Sequence, residues 1–258
     1  MTAKQLKNLP KEEQEIIANQ EKLEKAKSKK NMPHNKEVYF ENLLAKALKD
    51  YSFQWDVPIN TYLRIGEDYF NSEMFKKYYK RFGTTPEKSI AAIKNKIADL
   101  DRVFLDAAPR NESLTKTYYR GMTQSFENFK SIGDNTVVKN FLSVSSSFNI
   151  AVRFSGIRLG KKCCLYKIII DKGIPAIDMI STTEYKDERE TLLPRNLNYE
   201  LVDIIKLQFP KKNPLYEFEI YVMKVSLLRK DQFKVKKVCQ TFNEAKLEIY
   251  KNPAFIKK

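Results

Sequence analysis

The sequence is poor in histidine and cysteine, with one His and three Cys among its 258 residues. His34 lies before the folded pattern begins, so a Ser-His-Asp triad, a Cys-His pair and a histidine-rich metal site are all poorly supported. Cys163, Cys164 and Cys239 do not make a disulfide framework, because adjacent cysteines rarely pair with each other. We therefore expect reduced cysteines in the core and no bound metal.

The chain also lacks long apolar runs. None approaches the length of about 18 residues that a membrane span needs. The first ten residues contain no signal-peptide core. We therefore expect a soluble protein that is made in the cytoplasm, a reducing compartment, without a Sec-type signal peptide.

Positive charge is abundant, since 47 Lys and Arg against 32 Asp and Glu give a formal net charge of +15. Much of it lies at the ends: residues 1–36 hold nine Lys against five Glu, and residues 210–258 hold twelve Lys or Arg against five acids. This excess favours an anionic partner such as nucleic acid, an acidic protein surface, anionic lipid or a phosphate-bearing cofactor. A basic nucleic-acid-binding or scaffold module stays open as an alternative, although the sequence shows no nucleic-acid motif.

Apolar periodicity predicts a helical first part of the chain. Residues 1–33 are dominated by charged and polar residues, which is typical of a solvated helical or flexible arm. Helical spacing then predicts a helix that ends near Tyr51 and further helices over residues 59–64, 72–81 and 86–108.

The second part of the chain is rich in short strand-like runs. They cover residues 114–120, 137–144, 163–170, 174–179, 188–193, 199–207 and 216–228, with a short helix over residues 149–154. The predicted fold class is therefore α+β, with helices first and a mostly antiparallel β core after them. We expect one domain over residues 34–258, helical over 34–112, with the β core over 113–228 and a basic C-terminal segment over 229–258.

Two carboxylates two residues apart, Glu188 and Glu190, enter an apolar run that Pro194 closes. A strand that begins at Glu188 would put both side chains on one face. Like charges so close repel each other, so the pair must either face solvent or serve a cation or a developing positive charge. An exposed strand start is the plain alternative.

An arginine and a glycine, Arg120 and Gly121, end an aromatic run. A guanidinium suits bidentate recognition of phosphate, and a glycine lets a ligand approach the backbone. An exposed arginine at the end of a strand would produce the same pattern.

A serine-rich segment follows Asn140. Ser143 and Ser145 share a strand face, where their hydroxyls could hydrogen-bond a buried carboxylate and fix its rotamer. The alternative is a strand end that leads into a helix capped by Ser147 or Asn149.

In this order the motifs resemble a known family. They are Tyr-Arg-Gly at 119–121, Asn-Phe-Leu-Ser-x-Ser at 140–145 with Ala and Phe downstream, and Glu-x-Glu-x-Leu-Leu-Pro at 188–194. The order is similar to that of the arginine-serine-glutamate class of mono-ADP-ribosyltransferases, in the exoenzyme-toxin branch that includes the catalytic domains of actin-modifying binary toxins. The resemblance implies a β core made of two sheets, NAD as a substrate and no metal.

Two positions depart from the family pattern. Val144 stands where threonine is usual, and Gly121 stands where a second arginine is often found. The valine should matter little because its side chain points to the opposite face. The missing arginine removes one potential phosphate contact, which Arg158 or Arg153 would have to replace.

The resemblance assigns roles at the NAD end of the site. Arg120 would hold the phosphate and ribose region, and Asn140 would contact the nicotinamide end. Ser143 would orient Glu190, which would hydrogen-bond the ribose hydroxyls and stabilise the oxocarbenium-like centre formed when nicotinamide leaves. The implied catalytic residues are Glu190, Glu188, Arg120 and Ser143. The implied cofactor-binding residues are Arg120, Gly121, Asn140, Ser143, Ser145, Phe154, Arg158 and Glu190.

At the acceptor end, the resemblance implies that Glu188 and Tyr185 contact the target. In this family a glutamate at the position of Glu188 accompanies modification of arginine, because a carboxylate can bind a guanidinium and assist its deprotonation. Residues 154–162 match in position a loop that covers bound NAD. The implied function is NAD-dependent mono-ADP-ribosylation of an arginine in a target protein, by a toxin or effector delivered into a host or target cell. NAD glycohydrolysis, with water as acceptor, is the alternative at the same site.

Overall fold

The computed structural model describes residues 11, 14–15, 17–19, 21–22, 45–107, 116–122, 131–155, 164–171, 173–179, 186–208 and 217–227. Four α-helices lie wholly within these residues: α1 (Asp56–Ile65), α2 (Glu73–Arg81), α3 (Pro86–Ala107) and α4 (Phe148–Phe154). The helices predicted over residues 59–64, 72–81, 86–108 and 149–154 are confirmed, with small shifts at their ends.

The helix that was expected to end near Tyr51 continues instead. Residues 45–50 are helical and run into a π-helical turn (Tyr51–Trp55) that leads directly into α1. The N–H of Asp56 donates to the carbonyl of Tyr51, which is the five-residue spacing of a π turn. Because the α-helix restarts there, Pro58 lies in its first turn, where the missing N–H costs little.

Local signals set the ends of the other helices. α1 ends at Gly66, whose φ of +68° lies in the left-handed region that favours glycine. Ser72 caps α2, since its Oγ accepts a hydrogen bond from the N–H of Phe75 at 3.2 Å. α3 begins with Pro86, a residue that suits the first helical position.

Eight strands form the β part: β1 (Lys116–Met122), β2 (Asn135–Val138), β3 (Leu142–Ser145), β4 (Cys164–Ile170), β5 (Ile177–Asp178), β6 (Glu190–Leu193), β7 (Leu197–Gln208) and β8 (Glu217–Ser226). Their order in the sheet is β2-β7-β8-β4-β1-β3-β6-β5. Among the described strands, only β4 and β8 are parallel neighbours, so the α+β class with a mostly antiparallel core is confirmed and the sheet is mixed. β1 and β3 share the single pair Tyr119 and Ser145. This narrow junction joins the two parts that were expected as two sheets.

The apolar run over residues 137–144 forms two strands rather than the single strand predicted. β2 pairs with β7 and β3 pairs with β6, which lie far apart in the strand order. Residues 139–141 must therefore carry the chain from one part of the sheet to the other. The run over residues 174–179 retains only the two-residue strand β5, which pairs with the short strand β6.

Two large apolar cores and one smaller cluster lie among the described residues. One large core lies among the strands and includes Val144 and Leu193. The other joins the helices to β5, β6 and the residue before β3, and it includes Phe104, Phe141 and Leu192. Leu192 and Leu193 enter different cores because successive strand side chains point to opposite faces. At about 2 kcal/mol for each fully buried large apolar side chain, the second core fixes the helices against the strand that carries Glu190.

The N-terminal residues that the structure describes are helical and take part in packing. Ile17 is only 3% exposed. Glu15 Oε1 accepts hydrogen bonds from Nη1 and Nη2 of Arg195, each at 3.2 Å. This stretch is therefore attached to the rest of the fold, while a boundary at residue 33 stays a prediction.

Cys164 is buried and free, as expected for a reduced core cysteine. Cys163, Cys239 and His34 lie outside the described residues. Among the helices that the structure describes, none is both long and apolar enough to cross a membrane.

Candidate active site

Glu188 does not open the strand, so the predicted shared strand face of the two acids is wrong. Glu188 ends a 3-10 turn (Lys186–Glu188), and β6 begins only at Glu190. Between them Arg189 has a φ of +45°, in the left-handed region, which interrupts the alternation of a strand. The two carboxylates therefore leave the backbone from different local structures.

Ser145 holds residues 186–190, which we call the acidic turn, in place. Its hydroxyl donates to the carbonyl of Glu188 at 2.8 Å and accepts from the N–H of Ser147 at 3.1 Å. A further bond runs from the N–H of Ser146 to the carbonyl of Arg189 at 3.3 Å. Ser147 occupies the N-cap position of α4 without a side-chain cap bond. The serine-rich strand end thus fixes the acidic turn more than it caps the helix.

Glu190 is fixed through its backbone on both sides. It is paired with Ser145 across β3 and β6, and its carbonyl accepts from the N–H of Met179 at 2.9 Å. Directly opposed residues point to the same face of a sheet, so the side chains of Ser145 and Glu190 share a face, which Ser143 also shares. The half-buried carboxylate of Glu190 is therefore presented by a rigid backbone.

Arg120 reaches the site from β1. Its Nη1 donates to the carbonyl of Ser143, so Ser143 contributes its backbone here. A hydrogen bond from the Ser143 hydroxyl to Glu190 stays a prediction. Burial lowers the pKa of the Arg120 guanidinium, while nearby groups that include Tyr51, Tyr199 and Glu190 oppose this effect. Within the described residues, the buried Nε of Arg120 has no hydrogen-bond partner. A buried donor left in this way costs about 1–3 kcal/mol, which an oxygen-rich ligand would recover.

The helical part supplies a second wall that the sequence analysis did not assign to the site. Asn60 Nδ2 donates to the hydroxyl of Tyr51 at 2.7 Å. Burial raises the pKa of Tyr51, with contributions from Asp56 and Glu190 and an opposing one from Arg120. The Tyr51 hydroxyl therefore lies among the charges of the site. Burial also raises the pKa of Asp56 to about 6, and the Glu190 carboxylate adds to this rise.

A signal for this second wall was available in the sequence. Tyr51, Asp56 and Asn60 are separated by five and then four residues, which corresponds to one π turn followed by one α turn. They were missed because the helix was expected to end near Tyr51, which would have broken the row.

Gly121 accommodates the packing of α4 against β1. A Cβ at this position would lie 1.8 Å from the carbonyl oxygen of Ala151 and 2.6 Å from the backbone nitrogen of Ser155. Any side chain here would displace the helix. The contact with α4 is sufficient to explain the glycine, and a direct contact with NAD stays a prediction.

The other predicted site residues are placed less fully. Asn140 is half-buried just before β3, and its Nδ2 donates to the carbonyl of the next residue at 2.6 Å. Arg153 and Phe154 are exposed on α4. Tyr185 and Arg158 lie outside the described residues, so their roles stay predictions. From the predicted set, the structure assembles around the acidic turn Arg120, Ser143, Ser145, Glu188 and Glu190.

No group of three or more His, Cys, Asp or Glu side chains in the described part of the chain could hold a metal ion. The predicted residues that the structure brings together carry a guanidinium, hydroxyls and carboxylates. Such groups suit a ligand that carries both phosphate and sugar oxygens.

Known structures share this arrangement of helices and strands. A crystal structure of the ADP-ribosyltransferase Vis with an inhibitor has a TM-score of 0.51 and 18% sequence identity, over 92% of this chain and 95% of that chain. The Vis toxin from Vibrio splendidus gives a TM-score of 0.50 and 16% identity, over 92% and 95% of the two chains. At these identities the similarity shows the fold alone. Among curated proteins, none matches the sequence.

The fold is that of an ADP-ribosyltransferase. The model of the ADP-ribosyltransferase exoenzyme family matches residues 41–237, well over half of the 258 residues. The chain therefore belongs to the ADP-ribosyltransferase exoenzyme family, and the resemblance to the exoenzyme-toxin branch is confirmed. The general activity of this class is the transfer of ADP-ribose from NAD.

Proposed function

We propose that this protein transfers ADP-ribose from NAD to an arginine of a target protein, with release of nicotinamide. Family membership supplies the general activity, and the arginine acceptor is the specific proposal. The observation that carries it is the acidic turn, in which a strand fixes Glu190 while Glu188 stands on a separate turn held by Ser145. Two carboxylates attached in different ways can serve the ribosyl cation and the acceptor separately.

The β side of the site fits NAD. Within the described residues, the Nε of Arg120 and the hydroxyl of Tyr199 are buried without a hydrogen-bond partner. A guanidinium suits phosphate oxygens, and a hydroxyl can bond a ribose or phosphate oxygen. Bound NAD would supply the nicotinamide-ribose bond that is broken. By the family pattern, Asn140 would contact the nicotinamide end, and Phe154 with Arg158 would cover the dinucleotide.

Glu190 would stabilise the reacting sugar. As nicotinamide leaves, positive charge develops on the ribose, and a carboxylate fixed in advance lowers the barrier by about 3 kcal/mol without having to reorganise. The hydrogen bond from the N–H of Met179 to its carbonyl and its register opposite Ser145 in the sheet provide that fixed position. The reaction rate, more than the affinity for NAD, should therefore depend on Glu190.

Glu188 would bind the incoming arginine. A guanidinium keeps its proton at neutral pH, with a pKa above about 12, so the acceptor needs a carboxylate that binds it and assists proton removal. Tyr185 would contact the target beside it. Loss of Glu188 should then lower transfer more than it lowers nicotinamide release.

Incubation of the full chain with labelled NAD and cell extract, followed by mass spectrometry of the labelled protein, tests this function. We expect label on an arginine and loss of that label in both Glu190→Gln and Glu188→Gln. Nicotinamide release should fall far more in the first variant. Glu87→Gln, which changes an exposed carboxylate on α3, is the matched control. Label on another residue type would contradict the arginine acceptor, and nicotinamide release without labelled protein would indicate glycohydrolysis.

We infer further that the protein acts as a toxin or effector on a partner protein in a target cell. The family match and the similarity to the fold of the Vis toxin support this inference. Expression of the wild type in a host cell should impair growth, and Glu190→Gln should not.

We also propose that the chain consists of an arm over residues 1–33 and one domain over residues 34–258, and limited proteolysis would test this division.

A further inference from the structure

A lysine on α3, Lys96, contacts both ends of the π turn. Its Nζ donates to Oδ2 of Asp50, the residue directly before the turn, at 2.5 Å. The same Nζ lies 4.7 Å from the ring centre of Trp55, the last residue of the turn. The side chains of Lys96 and Asp50 are only 22% and 35% exposed, and partial shielding from water strengthens both kinds of contact. Lys96 therefore fixes the turn at its two ends.

The π turn sets the spacing between Tyr51 and Asn60. Asn60 Nδ2 donates to the Tyr51 hydroxyl at 2.7 Å across the turn. A π turn is rare and carries one residue more than the α-helix around it. If it relaxed into an α-helix, the chain before it would rotate by about 100° relative to α1, and this hydrogen bond would be lost. A contact that fixes residues 50 and 55 opposes that rotation.

The turn reaches the predicted NAD side of the site through Tyr51. The rings of Tyr51 and Phe141 meet edge to face, with their centres 6.1 Å apart. Phe141 lies between Asn140 and β3, and its carbonyl accepts a hydrogen bond from Asn140 Nδ2 at 2.6 Å. Asn140 is the residue that the family pattern assigns to the nicotinamide end. A shift of Tyr51 would therefore disturb the segment that orients the Asn140 side chain.

We propose that Lys96 is a positioning residue for NAD, which holds the π turn in the register that keeps Tyr51 and Asn60 against the segment carrying Asn140. This inference rests on the proposed function, because it concerns the NAD step of that reaction. Within the described residues, the buried Oδ1 of Asn60 has no hydrogen-bond partner, so it is open to a donor on a ligand. Glu190 is held separately by the pairing of β6. The affinity for NAD should therefore depend on Lys96 more than the chemical step does.

A second lysine on α3 makes the same kinds of contact at another place. Lys94 Nζ pairs with Glu67 at 3.0 Å, and it lies 5.8 and 5.5 Å from the ring centres of Tyr62 and Phe70. These partners belong to the last turn of α1 and to the 3-10 turn that follows it (Gly66–Asn71). Loss of Lys94 therefore removes an ion pair and ring contacts without removing a contact of the π turn, which makes it the matched control.

The experiment compares the full-length wild type with Lys96→Met, Lys96→Arg and Lys94→Met, with NAD as the substrate and nicotinamide release as the measurement. We expect Lys96→Met to raise the KM for NAD about fivefold to tenfold, the effect of one misplaced hydrogen bond. Its kcat should change by less than about twofold, because the loss is one of binding. Lys96→Arg should restore most of the affinity, since a guanidinium can make both contacts. Lys94→Met should keep a KM near that of the wild type.

Trp55 supplies a spectroscopic measurement of the turn itself, because it is the only tryptophan in the chain. Asp50→Asn removes the ion pair at one end of the turn and leaves both partners of the ring contact at the other end in place. We expect the fluorescence emission of Trp55 to change in Asp50→Asn and the KM for NAD to rise, though less than in Lys96→Met. Lys94→Met should leave the emission unchanged. An unchanged emission in Asp50→Asn would show that Lys96 does not couple the two ends, which would overturn the proposal.

The possible failures are distinguishable. An unchanged KM for NAD in Lys96→Met would overturn the role of Lys96 and leave the proposed function intact. An equal rise in Lys94→Met would also overturn it, because the effect would then come from any loosened contact of α3. Should Lys96→Met not fold, Asp50→Asn decides, since an unchanged KM for NAD in that variant would contradict the proposal. If the wild type releases no nicotinamide from NAD, the proposed function fails and the role of Lys96 fails with it.

Discussion

The two ends of strand β6 differ in their charged side chains. Acidic side chains lie close together at one end, and a buried arginine is paired with carboxylates at the other. At each end a residue other than glycine takes a positive φ, +45° at Arg189 and +64° at Asn196. At the first end, which we call the reactive end, Glu188 and Glu190 lie two residues apart, and the charge of Glu190 contributes to the raised pKa of Asp56 on α1. Like charges are therefore gathered at the reactive end, although they repel each other.

At the other end, the anchored end, a buried charge is neutralised. The side chain of Arg195 is only 10% exposed. It donates from Nε and Nη2 to Asp101 on α3 at 2.9 and 2.8 Å, and it also bonds Glu15. Burial alone would lower the pKa of Arg195, but the two carboxylates raise it above its ordinary value. The same short strand thus ties itself to the helices at one end and presents an acid to the site at the other, and a rigid support of this kind is what a reacting group needs.

The largest effect should follow from loss of the reactive carboxylate. Glu190→Gln keeps the backbone pairing with Ser145 but removes the negative charge that would stabilise the ribosyl cation. We expect nicotinamide release and label transfer to fall together by about two to three orders of magnitude, with little change in melting temperature. Parallel assays of both products test this. Nearly normal release would show that the charge gathered at the reactive end has another purpose.

The anchored end should respond in stability rather than in chemistry. Arg195→Ala leaves the mostly buried carboxylate of Asp101 on α3 without its bidentate partner. We expect the free energy of unfolding to fall by about 3 kcal/mol, as measured by urea denaturation. Arg153→Ala, which removes an exposed arginine from α4, is the control and should change stability by less than about 0.5 kcal/mol. If both variants are equally stable, the anchored end does not hold the strand.

The helices and strands around both ends of β6 were predictable from the sequence. Helical spacing located the helices, and apolar runs located most strands, because each periodicity reflects which side chains must be buried. For the site, the order of the motifs predicted Arg120, Ser145 and the acidic pair. The structure brings these residues together, and their roles stay predictions. These predictions depend on residue types and spacing along one segment at a time.

Details that depend on tertiary contacts were not predictable. The hydroxyl of Ser145 bonds the carbonyl of Glu188 across 43 residues of sequence, and no local pattern shows that this bond replaces the start of a strand. The close approach of α4 to Gly121 also depends on two segments that meet only in the fold. The π turn also interrupted the row of Tyr51, Asp56 and Asn60 in the sequence pattern, because a helix with an inserted residue keeps its path but shifts its period.

A smaller effect should follow when the bond that shapes the reactive end is removed. Ser145→Ala loses the hydrogen bonds to the carbonyl of Glu188 and from the N–H of Ser147, at a cost of about 1 kcal/mol. We expect transfer to an arginine acceptor to fall several-fold, and to fall more than nicotinamide release, because the turn carries Glu188 directly. Ser146→Ala, a neighbouring exposed serine, is the control for both assays. An equal loss of the two activities would mean that Ser145 acts mainly through Glu190.

The smallest effect should come from replacing Arg189, whose positive φ strains the backbone at the reactive end. A left-handed φ costs a non-glycine residue about 1 kcal/mol, so Arg189→Gly removes strain from the folded state but also adds freedom to the unfolded chain. We expect the free energy of unfolding to change by less than about 0.5 kcal/mol, while transfer falls modestly because Glu188 and Glu190 are held less rigidly. Arg189→Ala removes the same exposed guanidinium but keeps a Cβ, so its activity should stay near that of the wild type. If the alanine and glycine variants lose activity equally, the guanidinium of Arg189 rather than its backbone matters, and the comparison between the two ends of β6 must then include a third charged residue at the reactive end.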